Sequence, residues 1–233
     1  MKKSIPIAIG LVFIGISIYL SFNFESVVKK SIFRTDFSWV ISTILLRAVI
    51  VVAFARGTQL IIDVFQSRLK SIFSFLIALP LGFGVSFISP IYEFDYGDYS
   101  TKERSVDHIS LTELTDGNYQ IKTSPYLLVF FSTDCPHCKT ASKLIGFNRS
   151  IGNAPEVIAL FPGTQENADQ FIAENNGQDF TYYIVDDRQY FLDNSGAAFP
   201  SIFLIDANGN TLAHWFGDHF NYTALDYIES FSK

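Results

Sequence analysis

The sequence predicts an α/β domain with a mostly parallel sheet, preceded by an all-α membrane region. Uncharged apolar runs fill the first 92 residues, whereas strand and helix patterns alternate from residue 124 onward. Charge divides at the same border. Residues 1–92 carry nine Lys or Arg and three Asp or Glu, whereas residues 93–233 carry eight Lys or Arg and twenty Asp or Glu. The acidic C-terminal half disfavours nucleic acid as a partner, because nucleic-acid binding depends on Lys and Arg contacts to phosphates.

The membrane region is predicted to hold about three transmembrane helices, over residues 4–24, 37–55 and 72–92. A helix crosses a bilayer with about 20 apolar residues, and the first and third runs hold 21 uncharged residues each. A cleaved signal peptide is the alternative for the first run, although no small-residue cleavage site follows it. Arg47 interrupts the second run, and we expect it either to face a partner helix or a polar cavity, or to reach an interface.

Three spans with Lys2 and Lys3 on the inside place the C-terminal half outside. This predicts a multi-pass protein of the bacterial inner membrane, with the lipid bilayer as a partner and the acidic domain in the periplasm. Residues 93–104 show neither helix nor strand period. They are predicted to link the membrane region, 1–92, to the domain, 105–233.

Strands and helices are predicted in alternation along the C-terminal half. The predicted strands are 119–122, 127–131, 156–161, 181–185, 201–205 and 211–216, and the predicted helices are 136–147, 164–176, 188–194 and 221–231. Asn208-Gly209 supplies a hairpin turn between the last two strands. This order predicts a mostly parallel central sheet with flanking helices and an antiparallel C-terminal hairpin.

Cys135 and Cys138 are the only two cysteines, in the run Cys135-Pro136-His137-Cys138. They follow an apolar strand and open a helix, where backbone N–H groups and the helix dipole favour a thiolate. Thiol–disulfide exchange needs one thiol to attack and a second to resolve the mixed disulfide. Cys135 is predicted to attack and Cys138 to resolve. Pro136 suits the first helical position, and protonated His137 would stabilise a thiolate.

Metal and haem readings of this pair are disfavoured. Zinc needs two further ligands, and His108, His214 and His219 show no paired metal spacing. A c-type haem needs His directly after the second cysteine, where Lys139 stands. The sequence therefore predicts neither a metal nor a cofactor.

Together with the cysteine run, the segment Phe199-Pro200-Ser201-Ile202-Phe203-Leu204-Ile205-Asp206-Ala207-Asn208-Gly209 resembles the thioredoxin superfamily, in particular membrane-anchored proteins of the TlpA/ResA type. The resemblance covers about residues 105–233. It implies a thioredoxin-like fold, a cis peptide bond before Pro200, and a substrate groove shaped by Phe199 and Pro200. It also implies a thiol–disulfide oxidoreductase that acts on protein thiols and disulfides and is recharged by a membrane or periplasmic redox partner.

The direction of electron flow stays open at this point. The TlpA/ResA resemblance implies a reductant, whereas the Cys-Pro-His-Cys run resembles disulfide donors of the DsbA type. A peroxiredoxin-like peroxidase is a further alternative, because Ser132 stands three residues before Cys135. A non-catalytic membrane assembly or docking factor is the last.

The sequence departs from thioredoxins proper at two positions near the cysteines. Val129 replaces a buried carboxylate that would accept the proton of the second cysteine, and Glu156 on the next strand is a possible substitute. Asp134 stands where those proteins have Trp, and it is predicted to cap the helix.

Overall fold

The computed structural model describes residues 4–30, 37–65, 71–88, 96–102, 104, 106, 124–196 and 198–232. The chain divides into two compact units, Met1–Ile91 and Tyr92–Lys233. The predicted strand 119–122 lies outside the described residues, as does His108.

The first unit is helical, with helices α1 (Ser4–Phe22), α2 (Phe24–Lys30), α3 (Trp39–Phe65) and α4 (Ser71–Ser86). Two of them, α1 and α3, are long and apolar enough to cross a membrane. The prediction of about three such helices is wrong for the described residues, because α4 has 16 residues. They rise about 24 Å, against a hydrocarbon core of about 30 Å.

The helix formed by the third uncharged run ends at Ser86, before the predicted end at residue 92. Phe87 and Ile88 donate their N–H groups to carbonyls three residues back, both at 3.2 Å. Such tight bonds close a helix and turn the chain out of it. A count of uncharged residues does not register this turn, and residues 89–95 are outside the described part of the chain.

Helix α3 packs against both α1 and α4 and continues to residue 65, beyond the predicted end at 55. Arg47 lies inside this packing and is only 6% exposed. Its guanidinium donates to the Ser86 carbonyl oxygen at 2.6 Å and lies 4.5 Å from the Phe24 ring centroid and 4.0 Å from that of Phe87. Arg47 therefore faces partner helices, the first of the two expected environments.

Small residues allow the three long helices to approach closely. A Cβ on Gly10 of α1 would lie 2.6 Å from the Gly57 carbonyl oxygen of α3, and a Cβ on Gly82 of α4 would lie 2.7 Å from that of Val51. Neither distance leaves room for a methyl group. Close backbone approach through small residues is the usual packing mode of helices in membranes.

The second unit alternates strands and helices from residue 126 onward. Its elements are β1 (Tyr126–Phe130), α5 (Pro136–Ser150), β2 (Glu156–Pro162), α6 (Gln165–Glu174), β3 (Thr181–Val185), α7 (Arg188–Ser195), β4 (Ser201–Ile205), β5 (Thr211–Phe216), a 3-10 turn (Gly217–His219) and α8 (Tyr222–Glu229). The predicted alternation over this range is confirmed.

The five strands form one sheet in the order β3-β2-β1-β4-β5. β1, β2 and β3 run parallel, whereas β4 is antiparallel to β1 and β5 is antiparallel to β4. The sheet is therefore mixed rather than mostly parallel. A parallel pairing of β4 with β1 would need a connection that crosses back to the other end of the sheet. Instead the chain enters β4 at the same end of the sheet at which β3 finishes, so β4 runs antiparallel to β1. This strand order with these directions is the thioredoxin-like fold that the sequence predicts.

Each face of the sheet buries a cluster of aromatic rings. On one face Phe130 contacts Phe203 and Phe191 of α7, with centroids 6.0 and 5.4 Å apart. On the other, Phe131 lies 5.3 Å from Phe171 of α6. The buried core fixes β1 on both sides, and with it the loop that leads to the cysteines.

Part of the predicted linker contacts this second unit. The Asn221 side chain donates to the Gly97 carbonyl oxygen at 2.8 Å, and the Thr101 N–H donates to the His214 carbonyl oxygen at 3.0 Å. Val106 is 4% exposed and belongs to the core cluster that contains Phe130 and Phe191. Thr101 thus lies at the edge of the sheet beside β5, Gly97 lies against the start of α8, and Val106 packs in the core.

Candidate functional site

Cys135 and Cys138 lie where β1 ends and α5 begins, as the sequence predicts. Cys135 is itself the N-cap residue, with extended backbone, and its Sγ accepts the Cys138 N–H at 3.2 Å. Pro136 occupies the start of the helix, where its missing N–H removes no intrahelical bond. The prediction that Asp134 caps this helix is wrong, because the cysteine thiol takes that position.

The two sulfurs differ in exposure. Cys135 is partly exposed, whereas Cys138 is fully buried one turn into the helix. The Cys138 sulfur accepts the backbone N–H of Ser132 at 3.4 Å. Both cysteines are free thiols. Only Cys135 is accessible to a large substrate.

The pKa of Cys135 is lowered from 9.0 to about 6. The hydrogen bond from the Cys138 thiol is the largest cause, and partial burial opposes it. The backbone N–H groups of Cys138 and His137 and the charge of His137 lower the pKa further. Burial raises the pKa of Cys138, and its hydrogen bond to Cys135 raises it again. At neutral pH the pair therefore holds one thiolate, on Cys135, and one thiol, on Cys138.

Phe199 and Pro200 lie beside this thiolate. Their peptide bond is cis, as the resemblance implies. In its thiol form Cys135 donates to the Phe199 carbonyl oxygen, at a sulfur–oxygen distance of 3.5 Å. The Phe199 ring stacks on Phe191 of α7, with centroids 5.5 Å apart. Two segments distant in the sequence thus meet at the Cys135 sulfur.

A groove of about 490 Å³ borders this point, and we call it the strand-end groove. Its walls are residues 132–134 after β1, 162–163 at the end of β2, 185–186 at the end of β3, the first turns of α7, and Phe199. Its size falls in the usual range for ligand pockets, about 300–1,000 Å³. The family resemblance implied a substrate groove at Phe199, but sequence patterns did not indicate the other walls, because these come together only where three strands end side by side.

Glu156 does not serve the cysteine pair. It lies opposite Tyr126, the first residue of β1, whereas the cysteines follow the last, so the two sites are at opposite ends of the strand. Glu156 is also only 7% exposed. Val129 is fully buried in β1. Among the described residues, the groups that hydrogen-bond the Cys138 sulfur are the Ser132 N–H, Cys135 and the backbone of Cys138 itself.

His214 belongs to the structure of the sheet. Its ring stacks on Phe203 with centroids 4.1 Å apart, and its Nε2 lies 2.8 Å from the Ser201 Oγ. Burial, followed by the charge of Arg104, lowers the pKa of His214 to about 4. Within the described ranges, no group of three or more His, Cys, Asp or Glu side chains is placed to hold a metal ion.

Several thiol–disulfide oxidoreductases of the thioredoxin superfamily are similar in structure to the C-terminal half. The thioredoxin domain of oxidoreductase BVU-2223 from Bacteroides vulgatus matches with 20% identity and a TM-score of 0.38, over 46% of this chain and 81% of that one. A thiol:disulfide interchange protein from Bacteroides sp. matches with 17% identity and a TM-score of 0.37, over 47% of this chain and 76% of that one. StoA from Bacillus subtilis matches with 16% identity and a TM-score of 0.36, over 44% of this chain and 80% of that one.

Neither a protein-family model nor a curated protein matches the chain. The similar solved structures have low identities and TM-scores below 0.5. The strand order and directions of the sheet are therefore what define the fold. By these, the C-terminal half of the chain is a thioredoxin-like domain.

Proposed function

We propose that the chain is a membrane-tethered thiol–disulfide oxidoreductase that reduces disulfides of protein substrates through Cys135 and Cys138. One observation carries the proposal: an accessible cysteine with a pKa of about 6 lies against a buried cysteine that stays protonated. The thiolate is the attacking species in exchange, and a neighbouring thiol is needed to complete it. At neutral pH the two cysteines supply both the attacking thiolate and the neighbouring thiol.

The proposed reaction transfers two electrons from the cysteine pair to the substrate. The Cys135 thiolate attacks one sulfur of the substrate disulfide, the substrate S–S bond breaks, and the departing thiolate takes a proton from water. Cys138 then gives its proton to water, and its sulfur attacks the Cys135 Sγ. The second substrate thiolate leaves and is protonated in turn, and a Cys135–Cys138 disulfide remains. Phe199 and Pro200 form the adjacent wall against which the substrate chain lies.

The pKa of Cys135 favours the reductant over the disulfide donor. The attacking cysteine has a pKa of about 7 in thioredoxin and about 3.5 in DsbA, and about 6 lies nearer the first. A reductant must itself be reduced again, so the proposal includes a membrane or periplasmic dithiol partner. Equilibration in glutathione buffers tests the direction. A potential near about −270 mV supports the reductant, whereas one near about −120 mV makes the chain a disulfide donor.

The peroxidase alternative lacks a comparable observation. It depends on Ser132, but the Ser132 N–H donates to the buried Cys138 sulfur rather than to Cys135. Reduction of peroxide at a rate that exceeds disulfide exchange would favour this alternative.

We further propose that the first unit anchors the chain in the bacterial inner membrane with the domain in the periplasm. Gly10 near the start of α1 lies against Gly57 of α3, whereas Arg47 of α3 contacts Phe24 just after α1 ends. α4 is shorter than the hydrocarbon core, with 16 residues, but it runs back along α3, because its first residue, Ser71, contacts Gln59 and its last, Ser86, contacts Arg47. The chain would leave this unit at the end opposite to its start. Cysteine labelling of intact cells tests this orientation, when a thiol reagent that cannot cross the inner membrane is compared with one that can.

The exchange reaction is tested with the full chain in lipid nanodiscs. We expect reduction of insulin disulfides by the wild type in the presence of a dithiol, and none by Cys135→Ser. Cys138→Ser should accumulate the mixed disulfide, because the resolving thiol is absent. A full chain that neither reduces insulin nor forms this adduct would leave the docking factor as the function.

A further inference from the structure

We propose that the strand-end groove selects substrate segments that carry a basic side chain and an apolar side chain beside the reacting cysteine. The inference rests on the proposed exchange at Cys135 and names the substrate class for it. The groove borders the exposed sulfur, since Asp134 in its wall directly precedes Cys135 and the Phe199 carbonyl contacts the Cys135 Sγ. A chain joined to that sulfur therefore lies within reach of the groove.

One side of the groove is apolar. Leu192 of α7 is 38% exposed, and the partly buried Phe199 ring continues this surface, held by its stack on Phe191. Burial of apolar area on binding is favourable. An aliphatic or aromatic side chain near the substrate cysteine would cover Leu192 and the Phe199 ring.

The other side of the groove is acidic. Asp134 and Asp186 are both exposed and stand on loops that follow different strands. Neither forms an ion pair with a residue that the structure describes. Asp187 is engaged differently: its carboxylate accepts the N–H groups of Gln189 and Tyr190 and caps α7.

Arg188 adds one positive charge to the groove lining, which leaves one net negative charge among its three ionisable side chains. The surrounding half of the chain is more strongly acidic, with eight Lys or Arg against twenty Asp or Glu over residues 93–233. Charge complementarity therefore favours a cationic segment, both in diffusional encounter and in the groove. An acidic segment would instead place like charges beside Asp134 and Asp186 and would be repelled.

The test uses the full chain in nanodiscs and three peptides, each a disulfide-linked homodimer. The peptides share a Leu beside the cysteine and differ at the flanking positions, which carry Lys, Gln or Glu. Thiol release is followed at low ionic strength with excess dithiothreitol. We expect kcat/KM to fall in the order Lys, Gln, Glu. A basic neighbour also speeds departure of the substrate thiol itself, so the order alone does not test the groove.

The decisive comparison is between two charge-matched double variants. Asp134→Asn with Asp186→Asn removes the groove carboxylates, and Asp179→Asn with Glu166→Gln removes two exposed carboxylates outside it. We expect the first to reduce the Lys-to-Glu ratio of kcat/KM about fivefold, as for two exposed charge pairs. The second should leave that ratio within about twofold. Leu192→Ser should likewise reduce the preference for the Gln peptide over a fourth peptide that has Ser in place of its Leu.

The outcomes separate this inference from the exchange activity. An equal Lys-to-Glu ratio in the wild type and the groove variant, with the Gln peptide still reduced and Cys135→Ser inert, would overturn the substrate class alone. Failure of the wild type to reduce any of the three peptides would overturn the proposed exchange, and the substrate class with it.

Discussion

The backbone N–H of Cys138 donates a 3.2 Å hydrogen bond to the Sγ of Cys135. The bond is the N-terminal cap of α5, so the residue that starts the helix is also the accessible thiol. A helix N-terminus carries about half a positive charge and unsatisfied N–H donors, both of which favour a thiolate over a thiol. Local helix geometry therefore adds to the hydrogen bond from the Cys138 thiol, which is the largest cause of the low pKa of Cys135.

Alkylation of reduced protein by iodoacetamide should show this directly. The rate follows the thiolate fraction, so we expect it to rise with pH around a midpoint near the Cys135 pKa of about 6. An ordinary cysteine titrates near about 8.5. Cys135→Ser should react slowly throughout this range, because Cys138 is buried and its pKa is raised. A midpoint above pH ~8 would contradict the prediction.

The same shift makes the stability of the reduced protein depend on pH. Cys135 has a lower pKa folded than unfolded, so the unfolded chain binds more protons between about pH 6 and 9. The free energy of unfolding should rise with pH across this window and lose that gain as pH falls through about 6. Denaturant titrations of the wild type and Cys135→Ser at several pH values test the effect, which the variant should lack.

Two substitutions rank the causes of the low pKa. Cys138→Ala removes the thiol that donates to Cys135, the largest cause, whereas His137→Ala removes only the smallest, the histidine charge. We therefore expect Cys138→Ala to raise the pKa of Cys135 more than His137→Ala does. Alkylation midpoints of both variants give the comparison. A larger shift in His137→Ala would mean that side-chain charge, rather than the sulfur–sulfur hydrogen bond, stabilises the thiolate.

Local sequence patterns predicted the elements that carry the site well. The apolar run before Cys135, the helix after it and the strand after Pro200 are all present. Each depends on signals within a few residues, such as an apolar run followed by a helix start. Such signals are sufficient to place both cysteines at a helix N-terminus.

Features that depend on strand register or on contacts between distant segments were not predicted. Glu156 is on the expected strand, but only the pairing of β1 with β2 shows that it lies at the end away from the cysteines. The contact of Cys135 with Phe199 spans 64 positions, and only the family resemblance, not a local pattern, implied that Phe199 and Pro200 lie at the substrate groove. Likewise, the cap provided by Cys135 instead of Asp134 depends on where the turn after β1 ends.

Val106 should contribute to the stability of the second unit although it lies far from the strands in sequence. It is 4% exposed and packs in the cluster around Phe130 and Phe191. Val106→Ala removes two buried methyl groups and should lower the free energy of unfolding by about 2 kcal/mol. Ile151→Ala, at a position 46% exposed, is the matched control and should cost less. Denaturant unfolding of residues 93–233 measures both, and equal losses would show that Val106 lies outside the core.

Arg47 should stabilise the helical unit through its contact with the end of α4. Its guanidinium donates to the Ser86 carbonyl oxygen at 2.6 Å between the Phe24 and Phe87 rings. Arg47→Ala leaves that carbonyl and both rings without their partner and should destabilise the unit by about 2–3 kcal/mol. Arg47→Lys should recover only part of this, because a single ammonium lacks the planar group that stacks between two rings.

Unfolding of the full chain in mixed detergent micelles measures these losses, with Arg56→Ala at an exposed position of α3 as the control. Since the second unit folds around its own core, its cysteine reactivity should be unchanged in all three variants. Equal stability of Arg47→Ala and Arg56→Ala would show that the buried guanidinium is not what holds α4 against α3. Loss of exchange activity in Arg47→Ala, with the unit still folded, would instead assign Arg47 a part in the redox function.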